Sequence, residues 1–462
     1  MNLLQLCVAS MLPVVGLATP QLEKRQATKI TVDLTKKYQT MDGFGVSLAF
    51  QRANLILALP TDKQRAVMDL LFSNTTGAGF TILRNGLGSS PDSSSDHMNT
   101  IEPKSPGSPT GTPVYVWDGK DSGQFSISQQ AASVYGVKQF YANAWSAPGF
   151  MKSNGNDANG GTLSSSWNQA FANYLIQYIG YYLNAGVPVT YIGFLNEPDY
   201  SASYASMLSN GQQAASFIKV LRPSLDAANL TSVGIVCCES TGWSQAQSIY
   251  SGIKSSGADS MISVVSSHEY SSRASSSLST THHSWSSEYA DLNGGWTTAW
   301  YSSGGVGEGL TWANNIYTAI VNANVSAYIA WEGVQGGSTN EKLIQINSAG
   351  NDFQVSKRLW AFAQYSRTVL PGAVRVGTSG GSFKTTAFKN VDGSIAVNVI
   401  NTGTSAASVT IAITGFNATA ANAWITDSTH DMPTQVAIIG TDGSVSGAIP
   451  ARAMVSFLIN GA

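Results

Sequence analysis

The residues whose type and setting point to chemistry are two glutamates, Glu197 and Glu288. Glu197 stands in Gly193-Phe194-Leu195-Asn196-Glu197-Pro198, where an apolar run ends in Asn-Glu and a proline then stops regular structure. A carboxyl whose pKa is raised by apolar neighbours can protonate a leaving oxygen near neutral pH. Asn196 beside it is placed to hydrogen-bond a sugar hydroxyl near the reacting carbon. Glu288 ends a second apolar stretch, residues 282–289. Two carboxyls facing one glycosidic bond at about 5–5.5 Å perform its cleavage with retention. Glu239 and Glu332 are rival carboxyls near the ends of apolar runs, and they read as sugar-binding or structural.

Such a pair needs a scaffold that brings distant strand ends together. From about residue 41 to 370, short apolar runs alternate with helical patterns, the βαβα texture of a parallel sheet. Strand-like runs fall at 41–45, 81–83, 139–142, 189–195, 233–236, 262–265, 283–285 and 327–331, with helical candidates at 167–183, 211–227, 310–322 and 353–369. Eight units make a (β/α)8 barrel, whose strand C-terminal ends carry the site. Glu197 then ends the fourth strand and Glu288 the seventh, across the barrel mouth from each other. Trp145 and Trp331 end the third and eighth, where their rings can floor a sugar subsite or pack in the core. Tyr200 follows Glu197 by three residues and joins the substrate-binding candidates. From residue 371 to 462 the pattern alternates with period two between Gly, Asn and Asp turns, which predicts an antiparallel β-sandwich. Residues 28–34 alternate as well, so the segment 26–40 is expected to pair with that sandwich. The Ser-rich patches 89–95 and 271–279 read as loops at the barrel mouth.

Composition narrows the partners. The formal net charge is -2 and charged residues make up 11% of the chain, against about 25% in an ordinary soluble protein. No basic field suited to nucleic acid is present. Trp 11, Tyr 18 and Phe 16 suit neutral sugars, whose C–H faces stack on rings. Residues 1–19 read as a signal peptide and 20–25 as a propeptide ending in Lys24-Arg25, so secretion is expected. No later stretch is apolar enough for a membrane span. Four Asn-x-Ser/Thr sequons, at Asn74, Asn229, Asn324 and Asn417, fit a glycosylated chain. Cys237 and Cys238 are adjacent and read either as two buried thiols or as a vicinal disulfide. His282 and His283 diverge on a strand and have no third ligand at a metal spacing, so no metal and no cofactor is expected.

Five motifs occur in order: Asp42-Gly43-Phe44-Gly45, Leu83-Arg84-Asn85-Gly86-Leu87-Gly88-Ser89, Trp145-Ser146-Ala147-Pro148-Gly149-Phe150-Met151-Lys152, Asn196-Glu197-Pro198 and Ser287-Glu288-Tyr289. On these the chain resembles glycoside hydrolase family 30, in the clan of retaining barrels with catalytic glutamates on strands four and seven. Ser47-Leu48-Ala49-Phe50-Gln51-Arg52-Ala53 resembles its fungal xylanase branch, although Leu48 stands where an acidic residue is more usual. The resemblance implies Glu288 as nucleophile, Glu197 as acid and then base, and Arg84 as a brace for both. It also implies His268 and Tyr270 as a hydrogen-bonding pair that binds the substrate, with Tyr289 or a nearby hydroxyl orienting the nucleophile. Arg52 is implied as the partner of a glucuronate branch, the alternative being an ion pair with a protein carboxylate. The function expected is that of a secreted, monomeric endo-β-1,4-xylanase acting on glucuronoxylan. Alternatives are an exo-acting xylanase or xylobiohydrolase, decided by the loop at 89–122, and a β-1,6-glucanase. A non-enzymatic carbohydrate-binding protein fits poorly with the presence of both glutamates.

Overall fold

The computed structural model describes residues 27–94 and 96–462. The signal-peptide and propeptide readings of residues 1–25 lie outside the described residues. Eight strands, Gly43–Ser47, Ile82–Leu87, Gln139–Ala144, Val189–Gly193, Gly234–Ser240, Val264–His268, His283–Glu288 and Ala327–Ala330, close a barrel with the eighth beside the first. They pair in parallel throughout and are buried nearly end to end, which is why they read as short apolar runs without alternation.

The barrel interior is layered. Trp285 fills the lower half, its ring 5.9 Å from Tyr141 and 4.7 Å from Tyr191, and its indole N–H donates to Asp42 at 2.7 Å. Side chains two residues further along a strand return to the interior one layer higher. Ile82 is thus followed by Arg84, and Val264 by Ser266 and His268. Two of the barrel's register shifts alter this count near the mouth. The fifth strand slips between Cys237 and Ser240, and the seventh between its pairings Ser267–Ser286 and His268–Glu288. A bulge re-aims the side chains beyond it, and both Glu239 and Glu288 lie just at these slips.

Helices at Thr61–Phe72, Gln124–Tyr135, Asn168–Asn184, Gly211–Ala227, Trp243–Ser255, Gly309–Asn322 and Lys357–Ser366 surround the barrel. The crossover from the sixth strand to the seventh, residues 269–282, holds no helix; its serine-rich sequence supplies no apolar face to lay on the sheet. The helix expected over 353–369 is shorter. Phe353–Val355 is a strand paired antiparallel with residues 344–346, and Ser356, extended at ψ 150, precedes the helix Lys357–Ser366. The small sheet Glu332–Gln335, Lys342–Ile346, Phe353–Val355 and the pairing of Asp291–Gly295 with Thr339–Asn340 add a rim to the barrel mouth that the sequence pattern does not announce.

The remaining sheet has ten strands. It is antiparallel except where Thr28–Thr40, beside Val374–Ser379 in antiparallel pairing, runs parallel to Ala407–Ile413. The expected sandwich is therefore mixed, because a strand entering from before the barrel arrives with its own direction. Ile30 and Val32 sit wholly buried in its core with Val397, Val455 and Phe457. The sheet meets the barrel at the helix Lys357–Ser366, every residue of which after Lys357 is buried. Asn398 locks that contact: its amide nitrogen donates to Gln364 O at 2.9 Å, Thr368 Oγ1 at 3.1 Å and Ser456 Oγ at 2.7 Å. Replacing Asn398 by Ala removes three buried hydrogen bonds at the seam and is expected to cost about 2–3 kcal/mol. Urea unfolding of the variant beside the wild type measures this.

Candidate active site

Arg84, wholly buried at the second strand, organises the C-terminal mouth of the barrel. Its Nη1 donates to Glu288 Oε2, and its Nη2 donates to Glu239 Oε2 at 2.7 Å and to Asn196 Oδ1 at 2.9 Å. Its guanidinium lies 4.5 Å from the Trp145 ring centroid. Burial works against the charge, but Glu239 and Glu288 outweigh it and raise the guanidinium's pKa. His268 is the second cation. Its Nδ1 faces Glu197 Oε1 at 3.1 Å and Glu288 Oε1 at 3.5 Å, and its Nε2 faces Glu239 Oε2 at 3.1 Å. Burial lowers its pKa, yet the Glu288 charge and the bonds to Glu197 and Glu239 carry it up to about 10. The imidazole is therefore charged near neutrality.

Three carboxylates against two cations leave the cluster one positive charge short, which favours the uptake of one proton. Glu239 does not hold it: burial opposes its ionised form, but Arg84 and then His268 pull its pKa down to about 2. The proton belongs to Glu197 and Glu288, whose facing oxygens lie within 4.8 Å of each other and of a His268 nitrogen. In the open cleft, burial pushes Glu288 above the ordinary carboxylate range despite His268 and Arg84. Burial also pushes on Glu197, but the bond and charge of His268 and the bond from Tyr204, at 3.2 Å, leave it below that range. The fixed donors favour the opposite order. Glu288 accepts from Arg84, which keeps its proton at any ordinary pH, and from Tyr270 Oη at 3.0 Å. Burial and the Glu288 charge hold the Tyr270 hydroxyl in its protonated, donating form. Glu197 accepts from the Tyr204 hydroxyl and otherwise leans on histidine, a cation able to release its proton. These fixed donors favour ionised Glu288 once solvent leaves the cleft.

The pair opens into a cleft of about 660 Å³ lined by Trp145, Asn196, Tyr200, Tyr270, Trp331 and Arg52, together with Phe50, Asp96, Tyr204, Thr241, Ser271, Leu292 and Glu341. Phe50, Trp145 and Trp331 form its floor, with ring centroids 5.4–5.9 Å apart. Asn196 Nδ2 has no protein partner among the described residues and is left to donate into the cleft, while its oxygen is held by Arg84. Tyr200 is 52% exposed at the rim.

One sequence expectation needs correction, and at Tyr289 and Arg52 the structure bears on alternatives that the sequence left open. His268, read as substrate-binding, has no exposed surface and does not line the cleft; it holds carboxylates from beneath. Tyr289 does not orient Glu288, since its ring packs under Arg273 at 3.8 Å, and Tyr270 supplies that bond. Arg52 reaches the cleft wall already engaged: Nε donates to Glu332 Oε1 at 2.7 Å and Nη1 to Asp96 Oδ1 at 3.0 Å. A uronate there meets an arginine shared with two protein carboxylates. Leu48 is wholly buried in the core, so the departure at that position lies away from the cleft. Tyr204 and Asp96 escaped the sequence reading because loops carry no periodicity. Phe50, with φ 59, lay inside the quoted motif without a role.

The motif around Lys152 is structural. Its ammonium donates to Ser206 O at 2.6 Å and Asp157 O at 3.0 Å, tying the third-strand loop to the loop that follows Glu197. Cys237 and Cys238 are buried free thiols. His282 and His283 pair with Asp259 and Asp42 respectively. Glu197, His268 and Glu288 lie close enough to surround an ion, but both ring nitrogens of the charged His268 face carboxylates, so the ring has no lone pair to offer a metal.

A closed parallel barrel with a side β-sheet and paired carboxyls in an aromatic cleft defines a glycoside hydrolase. Residues 41–367 match the model of glycosyl hydrolase family 59, and residues 372–457 match that of the glycosyl hydrolase family 30 beta sandwich domain. The catalytic domain of GH30 xylanase C from Talaromyces cellulolyticus is 44% identical, with TM-score 0.87 over 94% of this chain and 100% of that one. The family 30 subfamily 8 xylanase Xyn30A from Clostridium acetobutylicum shares the fold at 20% identity, with TM-score 0.70 over 94% of this chain and 100% of that one. An endo-1,6-beta-D-glucanase of Neurospora crassa is 26% identical over 175 residues, 37% of this chain and 35% of that protein. The match thus spans about a third of the curated relative's length. The chain belongs to glycoside hydrolase family 30.

Removing the Tyr270 hydroxyl takes a donor from the ionised form of Glu288 and raises its pKa. Tyr270→Phe is therefore expected to move the acid limb of the kcat/KM profile up by about one pH unit, checked by steady-state rates across pH.

Proposed function

We propose that the chain is a secreted endo-β-1,4-xylanase that cuts glucuronoxylan by double displacement, with Glu288 as nucleophile and Glu197 as acid and then base. The observation that carries the mechanism is the approach of the two carboxyls, with oxygens within 4.8 Å. That is the close spacing of retaining enzymes, too short for a water between nucleophile and sugar. Glu288 attacks the anomeric carbon from a position fixed by Arg84 and Tyr270, and forms a glycosyl ester. Glu197 gives its proton to the leaving oxygen. A sugar in the cleft displaces solvent and raises the Glu197 carboxyl, which suits it to this role. Water then enters, Glu197 takes its proton, and the ester is cleaved with the original configuration restored. Asn196 donates to a hydroxyl beside the reacting carbon, and Trp145 and Trp331 lie under the ring.

The identity to the Talaromyces xylanase supports xylan as the substrate. Arg52 is the residue for the glucuronate branch; the exposed Asp96, rather than the buried Glu332, is the carboxylate that a uronate displaces. A β-1,6-glucan is the second reading, favoured by the curated relatives. Secretion follows from the leader-like residues 1–19, and Asn74, Asn229 and Asn417 are the sequons proposed to carry glycans. All four sequon asparagines are exposed, but the Asn324 amide is already bonded to Ser277 and Arg375.

Digestion of glucuronoxylan, linear arabinoxylan and β-1,6-glucan, followed by mass analysis, tests the substrate. Aldouronic acids of several lengths are expected; xylobiose alone indicates exo action, and gentio-oligosaccharides the glucanase reading. Glu288→Gln is expected to lower hydrolysis by about 10⁴-fold or more, and undiminished rates contradict the assignment. Arg52→Ala is expected to suppress cleavage of branched xylan about tenfold more than that of unbranched xylan. Equal losses remove Arg52 from the uronate role.

A further inference from the structure

Glu239 is a third buried glutamate at the site, and the hydrolysis reading leaves it without a task. It ends the fifth strand, has no exposed surface and lines no part of the cleft. One of its oxygens, Oε2, accepts from both cations of the cluster, Arg84 Nη2 at 2.7 Å and His268 Nε2 at 3.1 Å. Beyond that oxygen Arg84 continues to Glu288, and His268 to Glu197 at 3.1 Å and, at 3.5 Å, to Glu288. The Glu239 backbone is engaged too, its carbonyl accepting the Glu197 N–H at 2.7 Å. Both residues sit in the left-handed region, with φ 55 at Glu239 and φ 48 at Glu197, a conformation that costs ~1–3 kcal/mol per residue and persists where the surroundings demand it.

We propose that Glu239 is the positioning residue for both catalytic glutamates: its Oε2 divides two cations between them, its charge makes the pair retain one proton, and its carbonyl fixes the Glu197 backbone. The charge count carries the second clause. Arg84 and His268 with Glu197 and Glu288 alone form a neutral set when both carboxyls are ionised, and such a set has no reason to keep a general acid. Adding the Glu239 carboxylate leaves the set at one negative charge, which one proton on the pair neutralises. Burying a third carboxylate is costly unless its partners use it, and here both partners pass directly to the reacting groups. The charged and titratable groups facing His268 are Glu197 from the fourth strand, Glu239 from the fifth, Glu288 from the seventh, Arg84 from the second and Tyr270 from the loop beyond its own strand. Tyr141 and Cys237 adjoin Glu239 and remain neutral because burial raises both.

The inference rests on the reading of Glu197 and Glu288 as the catalytic pair. The test is the pH dependence of kcat and kcat/KM for Glu239→Gln and Glu239→Asp in the full chain, on the polysaccharide that the wild type hydrolyses. Removing the Glu239 charge makes both neighbouring carboxyls easier to ionise. Glu239→Gln is therefore expected to shift the basic limb down by about one pH unit or more and to lower kcat about tenfold or more, with KM little changed. Glu239→Asp keeps the charge but withdraws the oxygen, so kcat falls while the limbs stay in place. A Glu239→Gln profile with unmoved limbs overturns the proposal, whatever happens to kcat. If that variant does not melt cooperatively, His268→Gln replaces it. Loss of that cation must move the basic limb up, and an unmoved limb there overturns the proposal equally. Full activity of Glu288→Gln would instead sink the catalytic reading itself, so the two failures are distinguishable.

Discussion

The site depends on the ion pairs of Arg84, a charge placed in the interior of a protein barrel. A guanidinium without surface exposure is tolerable only if its donors are met by fixed acceptors. Glu239, Glu288 and Asn196 meet the Nη1 and Nη2 donors and in doing so hold three strand ends at one point, while the buried Nε has no partner among the described residues. Trp145 closes the upper face of the guanidinium, while Trp285, Tyr141 and Tyr191 fill the barrel below. The polar cluster therefore rests on a packed floor and faces the cleft through Glu197, Glu288, Asn196 and Tyr270. Such an arrangement costs no reorganisation at the moment of reaction.

Geometry around the cluster is set by local departures from regular strand structure. The slips in the fifth and seventh strands bring Glu239 and Glu288 inward, and left-handed backbones at Phe50, Glu197 and Glu239 turn their side chains at strand ends. A glycine at 193 is required by close approach: a Cβ there would lie 2.0 Å from Asn143 Oδ1 and 2.5 Å from Tyr141 Oη. The fourth strand can thus pass the barrel's inner layer before releasing Asn196 and Glu197 at its end.

The barrel was legible because buried parallel strands write themselves as apolar runs, and Glu197 and Glu288 were legible as carboxyls ending two of them. Period-two alternation from Trp285 would have pointed Glu288 outward, and no pattern in Ser284-Trp285-Ser286-Ser287 reveals the slip. His268 was found but misplaced, because its depth depends on three carboxylates from other strands. Glu239 looked like any strand-end acid, and its two cations lie 155 and 29 residues away in sequence. Tyr204, Asp96 and the engagement of Arg52 by Glu332 are likewise products of loop closure and long-range pairing. The helix expected over 353–369 failed for a local reason, since Phe353–Val355 finds strand partners that its own sequence does not name.

The central claim is that Glu197 and Glu288 act as a retaining pair held by the Arg84 cluster. Proton NMR of the reducing-end anomeric signal during the first minutes of polysaccharide cleavage tests it most directly, before mutarotation mixes the anomers. The account predicts that the β-anomer appears first and the α-anomer follows by mutarotation. Initial appearance of the α-anomer would contradict it.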